Sequence, residues 1–315
     1  MDMNYNSKPV LVFPSINWEI YLHTDNEHNG YDKLLVDDYD MVAGGSSLTI
    51  ARALIYHNCL PTLFGLVGEN DRTGLTDRIS QSGITFKAVD CLKKTNMSII
   101  QRTVEGRELI YEHKSDLAEK NLAAIADDLK KHADSFQWRI GSGFSKELLF
   151  LKDLFDQNSN NILIPKRNLL QSEKFKEVLP LVNVVSFNKQ EFAESKLSFK
   201  DFHKEGVDLV IVTNNSHGGE FSFHGRHESY KPYPIPESAE KFPTGAGDWF
   251  TSSTLADLIN KGVKKIRDAN FTDIRDAIEF AAKISAKKVL HRGASNNEPI
   301  RNDINIDVDI NINAN

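Results

Sequence analysis

The residues Pro243-Thr244-Gly245-Ala246-Gly247-Asp248 run straight into an apolar stretch that ends near Leu258. Two glycines let the backbone approach an anion closely. The amides of a helix's first turn add donors, with the positive end of the helix behind them. Gly245, Ala246 and Gly247 are therefore read as an anion hole for negative charge on a transferred phosphoryl group. Asp248 falls in the first helical turn, placed to take the proton of an attacking hydroxyl. A plain glycine turn capped by an ordinary aspartate has the same composition, so the reading depends on what accompanies it.

Three other groupings accompany it. In Asn188-Lys189-Gln190-Glu191 the first and last residues are three apart, on one face of a helix, where they can share a solvated cation. The plainer alternative is a helix N-terminus with a solvated glutamate. Val212-Thr213 is followed by Gly218-Gly219, a turn after a strand in which Asn215 can adopt the left-handed conformation that glycine usually supplies. An ordinary strand-to-strand turn is the competing account. Gly44-Gly45 opens a helix expected over 46–56.

Elements with the right periodicity surround these groupings. Apolar runs at 10–13, 62–67, 137–140, 161–164, 182–187 and 208–212 read as buried strands separated by helical segments. Leu122, Ile125, Ala126 and Leu129 mark an amphipathic helix, and Ile274, Ala277, Ile278, Ala281, Ala282 and Ser285 a second one with a small-residue stripe. This is the pattern of an α/β protein, a Rossmann-like three-layer domain with a mainly parallel sheet covered on both faces. Segments near 16–42 and 96–114 break the alternation. The second is a hairpin around Glu105-Gly106-Arg107, and together the two are expected to build one small β-sheet lid. One domain is expected over 1–301, followed by a tail, 302–315. There Ile304, Ile306, Val308, Ile310 and Ile312 alternate with Asn and Asp, an edge-strand pattern expected to dock on this subunit or a neighbour.

Composition excludes several classes. The 315 residues are 40% hydrophobic and 26% charged, the balance of a globular chain. A net charge of -6 without a basic stripe argues against nucleic acid as a partner. Cys59 and Cys91 lack metal-ligand spacing and fit a reducing compartment. No stretch approaches the ~20 apolar residues that span a bilayer, so no membrane partner is expected and the cytoplasm is the expected location.

In order along the chain, Gly44-Gly45 with Ala51-Arg52-Ala53-Leu54, then Gly65-Leu66-Val67-Gly68-Glu69-Asn70-Asp71-Arg72-Thr73-Gly74, then Asn188 to Glu191, then Val212 to Gly219, and finally Thr244 to Asp248 resemble the landmarks of the ribokinase-like (PfkB) carbohydrate kinase family. The resemblance spans roughly residues 9–295. It implies ATP with magnesium and phosphorylation of a hydroxyl on a sugar, a sugar-like polyol or a nucleoside, with Asp248 as base. It assigns Asn188, Glu191, Thr213, Gly218 and Thr244 to the nucleotide, with Glu191 and Asn188 near Mg2+ through water. Gly44, Gly45 and Glu19 go to the acceptor, and a homodimer would form through the lid.

The sequence departs from the family in several places, among them Asn215 where the family's counterpart of the Val212–Gly219 turn has its first glycine, and one extra residue before Asp71. Glu19 is the nearest carboxylate where the family often has an aspartate after the first strand, and Thr49 stands where sugar kinases often have Asn. Phe242 replaces an aspartate linked in some members to a potassium site, which implies little gain from potassium. Pro165-Lys166-Arg167-Asn168 replaces Asp-Pro-Asn and is read as a solvated basic loop. Two alternatives stay open: a nucleoside kinase, with Trp18, Tyr21 and Tyr31 stacking on a base, and a catalytically silent member acting as a binding or regulatory protein.

Overall fold

The computed structural model describes residues 9–23, 36–102, 108–118, 120–239 and 241–291. The Glu105-Gly106-Arg107 turn, Tyr31 and the tail with its docking expectation lie outside them.

Thirteen strands are described: β1 Pro9–Pro14, β2 Asn17–His23, β3 Asp38–Gly44, β4 Leu60–Gly68, β5 Thr85–Leu92, β6 Met97–Arg102, β7 Glu108–His113, β8 Trp138–Phe144, β9 Asn160–Pro165, β10 Val184–Asn188, β11 Leu209–Thr213, β12 Gly219–Phe223 and β13 Arg226–Tyr230. The helices are α1 Ser46–Tyr56, α2 Arg72–Ser80, α3 Leu122–Ala133, α4 Arg167–Leu170, α5 Phe175–Val178, α6 Lys189–Ser195, α7 Phe199–Lys204, α8 Ala246–Asn260 and α9 Phe271–Val289. Nine strands form one sheet in the order β13-β12-β11-β10-β9-β8-β1-β4-β5. From β5 to β11 every neighbouring pair is parallel, and β12 and β13 close the far edge antiparallel.

Side chains of a strand alternate between faces, and here both faces are covered. Val10 and Val12 join the apolar core that contains α1, α8 and α9, while Leu11 and Phe13 join the core on the other face, with α3 and α7. The three layers expected from the sequence are present. So is the second sheet, four strands in the order β3-β2-β6-β7, drawn from the two segments that broke the alternation.

Parallel strands bring their C-terminal ends to one edge of the sheet. There the chain passes from β1 to Ser15, from β9 to Lys166, from β10 to Asn188 and from β11 past Thr213, and the start of α8 lies at the same edge. Open α/β sheets bind ligands at this edge. Helix α8 is buried on nearly all sides from Trp249 to Ala256, which is why its sequence shows no amphipathic stripe. Its hydroxyls are satisfied internally: Thr251 Oγ1 meets Ser186 Oγ at 2.8 Å, and Ser252 Oγ donates to the Asp248 carbonyl at 2.6 Å.

Candidate active site

Gly245 caps α8 in the left-handed region, φ 81°, a conformation that an L side chain resists. The Ala246 amide donates to the Pro243 carbonyl at 3.0 Å and so serves the turn itself. A Cβ added at Gly247 would meet nothing within 4 Å. Gly247 is exposed, and the space on its side-chain side is open.

Asp248 projects from this first turn and is half-buried. Ser46 Oγ, from the start of α1, donates to Asp248 Oδ1 at 2.5 Å and also meets Ser142 Oγ of β8. Burial pushes the Asp248 carboxyl up to about 7; the Ser46 hydrogen bond and Lys166 pull it down, while Glu191 and Glu19 push it further up. A carboxyl that titrates near neutrality is suited to accept and return a proton.

Glu19 is only 5% exposed. Its oxygens accept from Tyr21 Oη at 2.7 Å and from the Gly45 amide at 3.0 Å. Gly44 must lack a side chain because a Cβ there would overlap the Glu19 carboxyl group, and Gly45, at φ 101°, would press on Ile16 and Ser15. The double glycine thus lets the lid strand's carboxylate lie against the entry to α1. Thr49 is turned back into its own helix, its hydroxyl donating to the Gly45 carbonyl at 3.2 Å.

Strand register aligns Glu19, Ser98 and Glu112 across the lid face that carries Glu19. The charge of Lys166 is felt by both Glu112 and Asp248. Burial lowers its pKa, while Glu112 and Asp248 attract its charge. The sequence suggested a solvated basic loop for 165–168; Arg167 and Asn168 follow that description, both exposed, with Arg167 paired with Glu194 at 2.8 Å. Ser46 and Ser142 carried no sequence signal and Lys166 only that of a basic loop, because serines and lysines are common and only the fold brings these three to Asp248.

The residues expected on the nucleotide side include Asn188 and Thr213, paired in register at adjacent strand ends. Asn188 and Glu191 form a reciprocal cap on α6: Asn188 Oδ1 accepts the Glu191 amide and Glu191 Oε2 accepts the Asn188 amide, both at 2.8 Å. The helix-cap alternative is therefore realised, but Glu191 is half-buried rather than solvated. Burial raises its pKa, and its charge is felt by Asp248. Asn215 takes the left-handed conformation, φ 49°, and the turn closes with the Asn214 amide donating to the Gly218 carbonyl at 2.8 Å. Gly218 has φ 79°, and a Cβ on it would overlap the Tyr230 carbonyl oxygen, so the turn tolerates no side chain there. Thr244 precedes the anion hole and gives its carbonyl to Lys288.

The model of the pfkB family carbohydrate kinases matches residues 8–301. The chain belongs to that family. Its members are phosphotransferases, and this pfkB chain has their architecture of a large parallel sheet with a lid. It is similar to the Burkholderia thailandensis nucleoside kinase solved with inosine, with TM-score 0.69 and 16% identity over 91% of this chain and 93% of that one. It is also similar to the Thermotoga maritima ribokinase, with TM-score 0.68 and 17% identity over 92% and 95%. A microbiome-derived acarbose kinase gives TM-score 0.74 and 16% identity over 91% and 94%. At such identities the likeness is one of fold. No curated protein matches the pfkB chain in sequence.

Family members generally use ATP with a divalent metal. Among the described residues no group of three or more His, Cys, Asp or Glu side chains is placed to hold a metal ion. Nor is any helix among them long and apolar enough to cross a membrane. A cavity of about 530 Å³ bounded by Leu170, Glu173, Lys176, Glu194 and Lys196 contains none of the candidate site residues.

Proposed function

We propose that this chain transfers the terminal phosphoryl group of ATP to a hydroxyl of a sugar or sugar-like polyol. The observation that carries the reading is Asp248: a carboxyl pushed to about 7, on the first turn of α8 beside an exposed glycine, at the edge of the sheet where open α/β sheets bind ligands. In the reaction Asp248 takes the proton of the attacking hydroxyl. The Gly245 and Gly247 amides and the helix N-terminus meet the charge on the transferring group. Magnesium, when bound, offsets phosphate charge. Glu191 is suited to hold it through water, because one carboxylate oxygen already caps α6 and magnesium keeps much of its hydration.

Trp18 and Tyr21 favour the polyol over a nucleoside. Trp18 is buried, its indole nitrogen 3.3 Å from Asp71 and its ring under Arg78, and buried Tyr21 spends its hydroxyl on Glu19. Neither offers a free ring face for a base. The lid's outer face presents Tyr39, Met41, Leu109 and Tyr111 to solvent around half-buried Ile20, Leu22 and Ile99. This apolar face supports a homodimer through the lid.

The test is ADP release by the purified protein with ATP, magnesium and a panel of pentoses, hexoses, inositols and nucleosides. Turnover with a polyol is expected. Turnover with nucleosides alone would overturn the acceptor class, and no turnover with any acceptor would favour a silent, ligand-binding member.

A further inference from the structure

Lys288 lies near the end of α9 with 2% of its surface exposed. The other buried residues of that helix, Ile274, Ala277, Ile278, Ala281, Ile284 and Ala286, are all apolar. A charge in such a place is costly unless oxygens surround it. Its Nζ donates to the Phe242 carbonyl at 2.9 Å and to the Thr244 carbonyl. Both carbonyls belong to the turn that leads into Gly245. Two further bonds tie the same turn to α9: the Phe242 amide donates to the Val289 carbonyl at 2.7 Å, and Ser285 Oγ donates to the Ala246 carbonyl at 2.9 Å.

Peptide geometry gives these contacts a consequence. In a trans peptide unit the C=O and the following N–H point in opposite directions. Drawing the Thr244 carbonyl toward Lys288 turns the Gly245 amide away from α9. Drawing the Ala246 carbonyl toward Ser285 does the same to the Gly247 amide. Two side chains three apart on α9 therefore aim two amides of the anion hole. Main-chain oxygens gathered around one positive centre would otherwise call for a bound monovalent ion.

We propose that the Lys288 ammonium is a built-in monovalent cation: a positioning residue that fixes the 242–244 turn, aims the anion hole and removes the need for a bound alkali ion. The role in catalysis rests on the kinase reading above; the role as a cation does not.

The experiment compares wild type, Lys288→Ala and Lys288→Met in choline, sodium, potassium and ammonium chloride at equal ionic strength. Affinity is measured for ATPγS and for ADP with magnesium, together with thermal melting. In the wild type the preference for ATPγS over ADP and the melting point are the same in all four salts. Lys288→Ala loses about tenfold or more of that preference in choline. Potassium or ammonium, filling the vacated space, restores part of it and raises the melting point. Lys288→Met keeps the space filled, so it loses the preference without rescue.

Variants that keep the wild-type preference in choline would overturn the proposal. So would variants that weaken ATPγS and ADP equally and melt alike in every salt, since that marks a merely structural lysine. A wild type that gains several-fold from potassium would overturn it too. If the wild type binds neither nucleotide, the kinase reading and the aiming role fall. The salt dependence of Lys288→Ala melting then decides the cation role by itself: rescue supports it and its absence overturns it.

Discussion

On the proposed phosphate side of the site the working atoms would be main-chain atoms, whereas on the proposed acceptor side they would be side chains. The phosphate side consists of the turn into α8 and the α9 residues that grip it, all within the last third of the described chain. The acceptor side draws Glu19 from β2, Ser46 from α1, Glu112 from β7, Ser142 from β8 and Lys166 from beyond β9. Function supplied by backbone needs a local conformation and leaves a short glycine motif. Function supplied by side chains needs these five segments to meet and leaves no local pattern. The two halves join at Asp248, so breaking that residue should have the largest effect.

Asp248→Asn is expected to lower turnover by about a hundredfold to ten-thousandfold, the usual worth of a general base, with nucleotide affinity nearly unchanged. It should also stabilise the protein in a pH-dependent way. The folded carboxyl titrates at about 7 against an ordinary value of 3.8. Between those values the folded state keeps a proton that the unfolded chain has released, so stability falls as pH rises through that window and levels off above it. Asparagine cannot ionise. The variant therefore melts above wild type near pH 8, and the difference vanishes near pH 4. A variant that melts lower at pH 8 would show that the carboxylate is stabilised in the fold.

Two glycine substitutions separate the halves. Gly247→Ala should fold as well as wild type, because its Cβ enters open space and alanine suits a helix better than glycine. Turnover should fall by about a hundredfold through misplacement of the transferred group. Gly44→Ala drives a methyl into the Glu19 carboxyl and should cost about 1 to 3 kcal/mol of stability, weakening the acceptor more than ATP. Melting and separate KM values for ATP and acceptor check both. The comparison fails if Gly247→Ala unfolds the protein or if Gly44→Ala melts like wild type.

The same contrast governs what could be read from the sequence. Alternating apolar runs revealed the sheet, because both faces of a parallel sheet are buried. The two interruptions revealed the lid. Thr244 to Asp248 was legible because glycines before a helix have few uses. Lys166 was read as solvated because its partial burial depends on segments distant in sequence, the end of β8 at Gly143 among them. Lys288 was passed over, although it continues the stripe three residues beyond Ser285, because it sits beside Lys287 in a lysine-rich helix end where a charged residue is expected in water. Glu19 was legible as the nearest carboxylate for a proposed acceptor, but its hydrogen bonds to Tyr21 and Gly45 left no local pattern.

Ser46→Ala probes the acceptor side at smaller amplitude. Its hydroxyl donates to Asp248 and holds that carboxyl lower than it would otherwise lie. Removing it should move the acid limb of kcat/KM to higher pH while the plateau at high pH falls only several-fold. A limb that stays in place would mean that the Ser46 contact is broken once substrates bind.

Glu191→Gln should have the smallest effect on turnover and the opposite sign in pH. Glutamine at this position still offers a carbonyl to the Asn188 amide, so the α6 cap and the melting point should be kept. The change lost is one negative charge. That charge raises the Asp248 pKa, so the acid limb should shift to lower pH, whereas Ser46→Ala shifts it higher. The charge would also help hold solvated magnesium, so half-maximal activity should need more of it, with turnover at saturating metal down only a few-fold. The two readouts are independent. A shifted limb with an unchanged magnesium titration would place Glu191 in the field of the base but away from the metal. A shifted titration with a fixed limb would mean that bound nucleotide screens Glu191 from Asp248. If neither moves, Glu191 does no more than cap α6.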